Sequence, residues 1–169
     1  MISKHVVFLP TVLLVVLLDQ LGKQHVVETL GLGERVALLP GVIAWTHVPS
    51  VGGAFGVFRD WLPAAQLAGL AVLSLATAAI ALGFYVQLAR GEQACAAALG
   101  AMLGGVASNG LDRLRFGMGV DFLHPGPVGS DVLPDFNFAD IAIVLGLVTL
   151  IAELLATELA TRAAERPRP

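Results

Sequence analysis

Four apolar runs dominate this 169-residue chain and limit the folds open to it. They are Val6 to Leu18, closed by Asp19; Trp61 to Ala89, without a charge; Gln93 to Leu111, bounded by Glu92 and Asp112; and Ile141 to Ala152, interrupted by Glu153 and resumed as Leu154 to Thr157. About 20 helical residues cross the hydrocarbon core of a bilayer. The second and third runs meet that length outright; the first and fourth meet it by including one charged residue. The pattern predicts an all-α membrane protein, a single polytopic domain over 1–169. Its four transmembrane helices fall at about 6–26, 62–88, 93–111 and 140–159, with a frayed tail over 162–169. Composition agrees. Charged residues make up 14% and hydrophobic residues 56%, where a soluble domain carries about 25% charge. Ten Lys+Arg against thirteen Asp+Glu leave no basic footprint, which excludes a nucleic-acid partner. The first run has the length of a signal-peptide core. However, Asp19-Gln20-Leu21-Gly22-Lys23 follows it rather than a small-x-small cleavage site, so an uncleaved span is expected.

Between spans one and two, the β-branched stretch Val36 to Val48 is closed by turn-prone Pro49-Ser50-Val51-Gly52-Gly53. It predicts a small extracytoplasmic β-strand cradle lying on the membrane surface. Between spans three and four, His124-Pro125-Gly126-Pro127-Val128-Gly129-Ser130 predicts a loop. Lys and Arg divide five against five across the two sides. The Arg-rich tail then favours both termini in the cytoplasm.

Span parity gathers the acids. Four spans alternate in direction, so Asp19, Asp112, Asp140 and both long connections fall on one side, opposite the cytoplasm. Asp121 lies in the second connection. Each acid alone has a plain explanation. Asp19 and Lys23 are an i,i+4 ion pair, and Asp140 caps the fourth helix. Together with Asn109 and Asn137 they mark a site, because carboxylates near bilayer depth are paired or functional. Serine chemistry fits poorly, since no serine sits in Gly-x-Ser-x-Gly. Cys95 reads as a packing residue. His5, His25, His47 and His124 form no metal-ligand spacing, so no metal is expected. Two aspartates sharing a proton remain: one stays protonated while the other takes a proton from water, which attacks a carbonyl directly. The residues alone do not choose between Asp112 and Asp121 as the partner of Asp140. Gly100-Ala101-Met102-Leu103-Gly104 is a GxxxG, read as close packing inside one bundle rather than a dimer seam.

Five fragments in order then resemble one family. Asp19-Gln20-Leu21-Gly22-Lys23 is similar to D-Q-x-[ST]-K, and Gly52-Gly53-Ala54-Phe55-Gly56 to the end of N-x-G-A-A-F-[GS]. Gly104-Gly105 with Ser108-Asn109-Gly110-Leu111-Asp112-Arg113 is similar to G-G…G-N-x-x-D-R, Val120-Asp121-Phe122 to V-x-D-F, and Phe136-Asn137-Phe138-Ala139-Asp140 to F-N-x-A-D. The chain resembles, over nearly its whole length, the lipoprotein signal peptidases (type II signal peptidases), aspartyl proteases of bacterial inner membranes.

The resemblance implies an aspartic endopeptidase that cleaves diacylglyceryl-modified prolipoproteins just before the lipidated cysteine. It implies Asp121 and Asp140 as the dyad, with Asp112 kept as the alternative member. Asn109, Arg113 and Asn137 would orient substrate and dyad. Asp112 would support Arg113 or the local fold, and Asp19 and Lys23 would shape the site from span one. Ser50 and Gly53 would line it from the strand segment. No cofactor is implied. The partners are prolipoprotein substrates and membrane lipid, the oligomeric state a monomer, and the active site extracytoplasmic. Three departures stand out: Ser50 replaces the motif's asparagine, Gly22 its hydroxy residue and Ser108 its usual glycine. They motivate an alternative, a non-catalytic or altered-specificity lipoprotein-binding paralogue. A proton-coupled carrier is a further alternative, disfavoured because the acids cluster at one rim. Gly117-Met118-Gly119-Val120-Asp121 has one residue too many for the GxGD of other intramembrane aspartyl proteases.

Overall fold

The computed structural model describes residues 3–50, 60–130 and 133–165. Four long helices and three strands follow in the order α1 (Lys4–Thr29), β1 (Arg35–Leu39), β2 (Ile43–Ser50), α2 (Pro63–Gln87), α3 (Gln93–Phe116), β3 (Gly119–Pro125) and α4 (Phe138–Glu165). All four helices are long and apolar enough to cross a membrane. At 1.5 Å per residue they run roughly 36–42 Å. Their outer faces are rows of exposed Leu, Val and Ile, such as Leu13, Val72, Leu75, Val86 and Leu154. A water-facing surface does not carry such rows; a lipid-facing one does.

Local chemistry starts and stops the helices. Pro63 opens α2 at its first turn, where its missing N–H costs nothing. Gly117 ends α3 in the left-handed region at φ 73°, and Arg113 and Arg115 occupy its negative last turn. Asn137 starts α4. Its Oδ1 accepts the Asp140 N–H at 2.9 Å, and its own N–H donates to Asp140 Oδ2 at 3.4 Å, a reciprocal cap.

The least apolar of the four helices, α3, is the central one and packs against the other three. Its small residues allow this. A Cβ on Gly100 would stand 2.8 Å from the Phe8 carbonyl oxygen, and one on Gly104 2.9 Å from that of Val12. The GxxxG face is therefore filled by α1 of the same chain. α2 packs chiefly on α3. At the end far from the sheet, Lys4 Nζ donates to the Tyr85 and Leu88 carbonyls at 2.8 and 2.7 Å, capping α2, while Phe8 stacks on Tyr85.

The strands form one antiparallel sheet in the order β1-β2-β3 at the other end of the bundle. The expectation placed the cradle between spans one and two alone. Its third strand in fact comes from between spans three and four, and His124 and Pro125 belong to that strand rather than to a loop. The reason is burial: Val120, Phe122 and Leu123 pack on Val26 at the end of α1, and that apolar seat orders the segment. Gly22 makes the approach possible, since a Cβ there would meet the Phe122 ring at 2.6 Å. Two helices also outrun expectation. α3 continues through the charged Asp112-Arg113 to Phe116. α4 continues to Glu165, into the stretch expected to fray, held by i,i+4 bonds such as Arg162–Glu158.

Candidate active site

Where the sheet meets the bundle, a polar network runs inward from α1. Asp19 and Lys23 lie one turn apart, both essentially unexposed. Lys23 Nζ donates to Asn109 Oδ1 at 2.9 Å and ion-pairs with Asp19 Oδ2 at 2.6 Å and with Asp112 Oδ2. Asp19 is equally committed, accepting the Ser108 hydroxyl at 2.7 Å and the Ala139 N–H of α4 at 2.9 Å. That last bond satisfies one of the orphan donors of the α4 first turn. Gln20 donates to Asp112 Oδ1 at 2.7 Å and to Ser108 Oγ at 2.9 Å. The cluster thus ties α1, α3 and α4 together at one level. Removing Lys23 would leave two carboxylates buried without a counter-charge, a loss of about 3–5 kcal/mol.

The network then reaches the second pair of acids. Lys23 holds the oxygen of the Asn109 amide, so Nδ2 faces outward and donates to Asp140 Oδ1 at 3.0 Å. Asn137 does the same for Asp121. Its Oδ1 is occupied by the Asp140 N–H, and its Nδ2 donates to Asp121 Oδ1 at 2.8 Å and to the Val120 carbonyl at 3.3 Å. One side chain therefore joins Asp121 on β3 to Asp140 on α4. The Ser50 hydroxyl on β2 also hydrogen-bonds Asp121. Burial first, and the Asp140 charge second, push the Asp121 carboxyl up to about 7, against the opposing pull of those two hydrogen bonds and the Lys23 charge. Asp140, Asn109, Arg113 and Ser50 open onto a cavity of about 140 Å³ whose far wall is Leu70, Leu73, Ser74 and Thr77 of α2.

The structure brings Asp19, Lys23, Ser50, Asn109, Asp112, Asp121, Asn137 and Asp140 into this one network. Arg113 lines the cavity, with Nη1 on the Asn109 carbonyl at 2.6 Å. Asp112 pairs with Lys23 and accepts from Gln20, and its charge also acts on the neighbouring Arg113 guanidinium. Gly53 lies outside the described residues. Ser108 and Gln20 were not singled out as site residues, yet both bind the buried acids. Gln20 adjoins Asp19 in its motif, and that adjacency was the available signal.

Fold and site define a polytopic helical membrane protein with a carboxylate-centred polar site at one rim of its bundle. The sequence model described as signal peptidase (SPase) II matches residues 11–156. A lipoprotein signal peptidase from Gloeobacter violaceus is 38% identical over 99% of this chain and 92% of its own length. One from Desulforapulum autotrophicum is 34% identical over 84% and 87%. The chain also superposes on a solved structure titled as a bacterial membrane enzyme, with TM-score 0.81, 20% identity and coverage of 100% of this chain and 98% of that one, a likeness of fold. The chain belongs to the signal peptidase II family, and is a membrane peptidase.

Proposed function

We propose that this peptidase is of the aspartic type and removes signal peptides from diacylglyceryl-modified prolipoproteins by cutting before the lipidated cysteine. The observation that carries this reading is the Asn137 side chain, which holds Asp121 and Asp140 as a pair beside an open cavity. The Asp140 charge acts on Asp121, so the two carboxyls share one proton at neutral pH in this reading, and the raised Asp121 is its holder. Asp140 takes a proton from water as the oxygen attacks the scissile carbonyl carbon. Asp121 gives its proton to the amide nitrogen as the C–N bond breaks. Asn109, polarised by Lys23, and Asn137 keep the carboxylates aimed. Arg113 and Ser50 line the substrate approach, and Asp112 and Asp19 serve as buried counter-charges to Lys23.

The lipid anchor suits this placement. A diacylglyceryl chain remains in the bilayer and presents its attached peptide bond at the rim, where the sheet cradles it. The acids and sheet then face the extracytoplasmic side of a bacterial inner membrane, with both termini cytoplasmic and the monomer as the working unit.

The test is cleavage of a diacylglyceryl-modified prolipoprotein by the purified chain in detergent. Asp121→Asn and Asp140→Asn lose cleavage by at least roughly 10³-fold without a fall in melting temperature, while Asp112→Asn keeps the chemistry and loses stability. Loss confined to Asp112→Asn and Asp140→Asn would move the dyad. An unsubstituted chain that binds the substrate without cutting it would be a non-catalytic relative.

A further inference from the structure

Asp135, Phe136 and Asn137 run antiparallel beside β3 as a short added edge. Phe136 exchanges both backbone hydrogen bonds with Leu123, each 2.9 Å. On one side of Phe136, Asn137 reaches Asp121. On the other, the Asp135 carboxylate accepts the His124 Nδ1–H at 2.7 Å and Arg35 Nη2–H at 3.0 Å. His124 belongs to β3 and Arg35 to β1, so one carboxylate ties the segment to both outer strands. Thr46 of β2, fully buried, pairs with Arg35 in the ladder between them. His124 is fully buried as well, and Asp135 is 10% exposed.

We propose that His124, Asp135 and Arg35 are positioning residues that set the register of Asn137 on β3, and through it the aim of the Asp121–Asp140 pair. The inference rests on the dyad reading above. Its physical basis is the shortness of the added edge. Phe136 carries its ladder bonds, to Leu123 and from the Phe122 N–H at 3.2 Å, and a slip of one residue turns every side chain to the opposite face. Asn137 must at once cap α4 and donate to Asp121, so it tolerates little displacement; a misplacement of about 1 Å costs on the order of 10²-fold in rate. The clamp touches no reacting atom, and its effect falls on the chemical step rather than on substrate affinity.

The experiment measures kcat and KM separately for the full chain in detergent on a lipid-modified prolipoprotein. His124→Leu and Asp135→Ala lower kcat roughly 10–100-fold with KM changed less than about twofold. His124→Asn, which keeps an N–H donor near the Nδ1 position, recovers kcat to within about threefold. The double variant Asp135→Ala/Asn137→Ala is no slower than Asn137→Ala alone, because both act through one amide. Folded clamp variants with unchanged kcat overturn the proposal, and so do losses that multiply in the double variant. If His124→Leu and Asp135→Ala fail to fold, Arg35→Gln decides. At 21% exposure that site tolerates the exchange, and a kcat within twofold of the parent sinks the clamp. Cleavage that persists in Asp121→Asn would sink the dyad reading instead.

Discussion

Asp121 sits in an environment far from that of a free side chain. Its carboxyl is raised from 3.8 to about 7 by burial and by Asp140. Two pH effects follow. In the proposed mechanism Asp121 is the general acid and must hold its proton, so kcat/KM falls above about pH 7, about tenfold per unit; an initial-rate profile from pH 5 to 9 checks this. The stability effect runs in the opposite sense to that of a salt-bridged acid. Below about pH 3 the group is protonated folded and unfolded alike, and carries no penalty. Between about 3 and 7 the unfolded chain ionises first, so the folded state loses ground as pH rises, and above 7 the penalty has reached its full size. Asp121→Asn therefore raises the melting temperature at pH 8 and leaves it unchanged at pH 3. Equal shifts at both pH values would show that the carboxyl is not strained by burial. Ser50 shows how a motif departure is accommodated: its hydroxyl still hydrogen-bonds Asp121, though a hydroxyl offers less than the amide it replaces.

Among the elements, α3 carries the site because it is the helix the others pack against. Its glycines bring α1 within backbone contact, and that closeness lets Lys23 of α1 reach Asn109 and Asp112 of α3. Gly104→Val places side-chain atoms where the Val12 carbonyl already stands, 2.9 Å from the Cβ position. It lowers stability by about 1–3 kcal/mol, and activity with it. Gly110, where a Cβ meets nothing within 4 Å, accepts alanine without loss. Thermal unfolding in detergent compares the two, and equal melting temperatures would refute the close-packed seam. The helices were legible in the sequence because twenty apolar residues have few alternatives in a membrane. β3 was not. Its seven residues carry no long periodic pattern, and their order comes from Val26 and Gly22, about a hundred positions away.

For the molecule as a whole, the proposed orientation in the membrane rests on the Arg-bearing end of α4 and the sheet at the opposite rim. In a Cys95→Ala background, Val128→Cys on the sheet side reacts with an impermeant thiol reagent added to intact cells whose outer membrane is opened. Ala163→Cys reacts only once the inner membrane is permeabilised. Both positions are exposed. The reverse pattern would invert the protein and place the acids in the cytoplasm.

The amino-acid sequence by itself determined the membrane class, the number of spans and, through span parity, which acids share a rim. These depend on run length and on alternation, which are local or merely countable. It also carried the five fragments that resemble the family. What it left open was which aspartate partners Asp140, and the proposed choice of Asp121 rests on contacts. Asp112 is spent on Lys23 and Gln20, while the Asn137 amide joins Asp121 to Asp140. Only tertiary structure supplies those contacts. Asp112 and Asp121 both sit on the same side of the bilayer, and what separates them is which helix face and which strand register each occupies against distant neighbours.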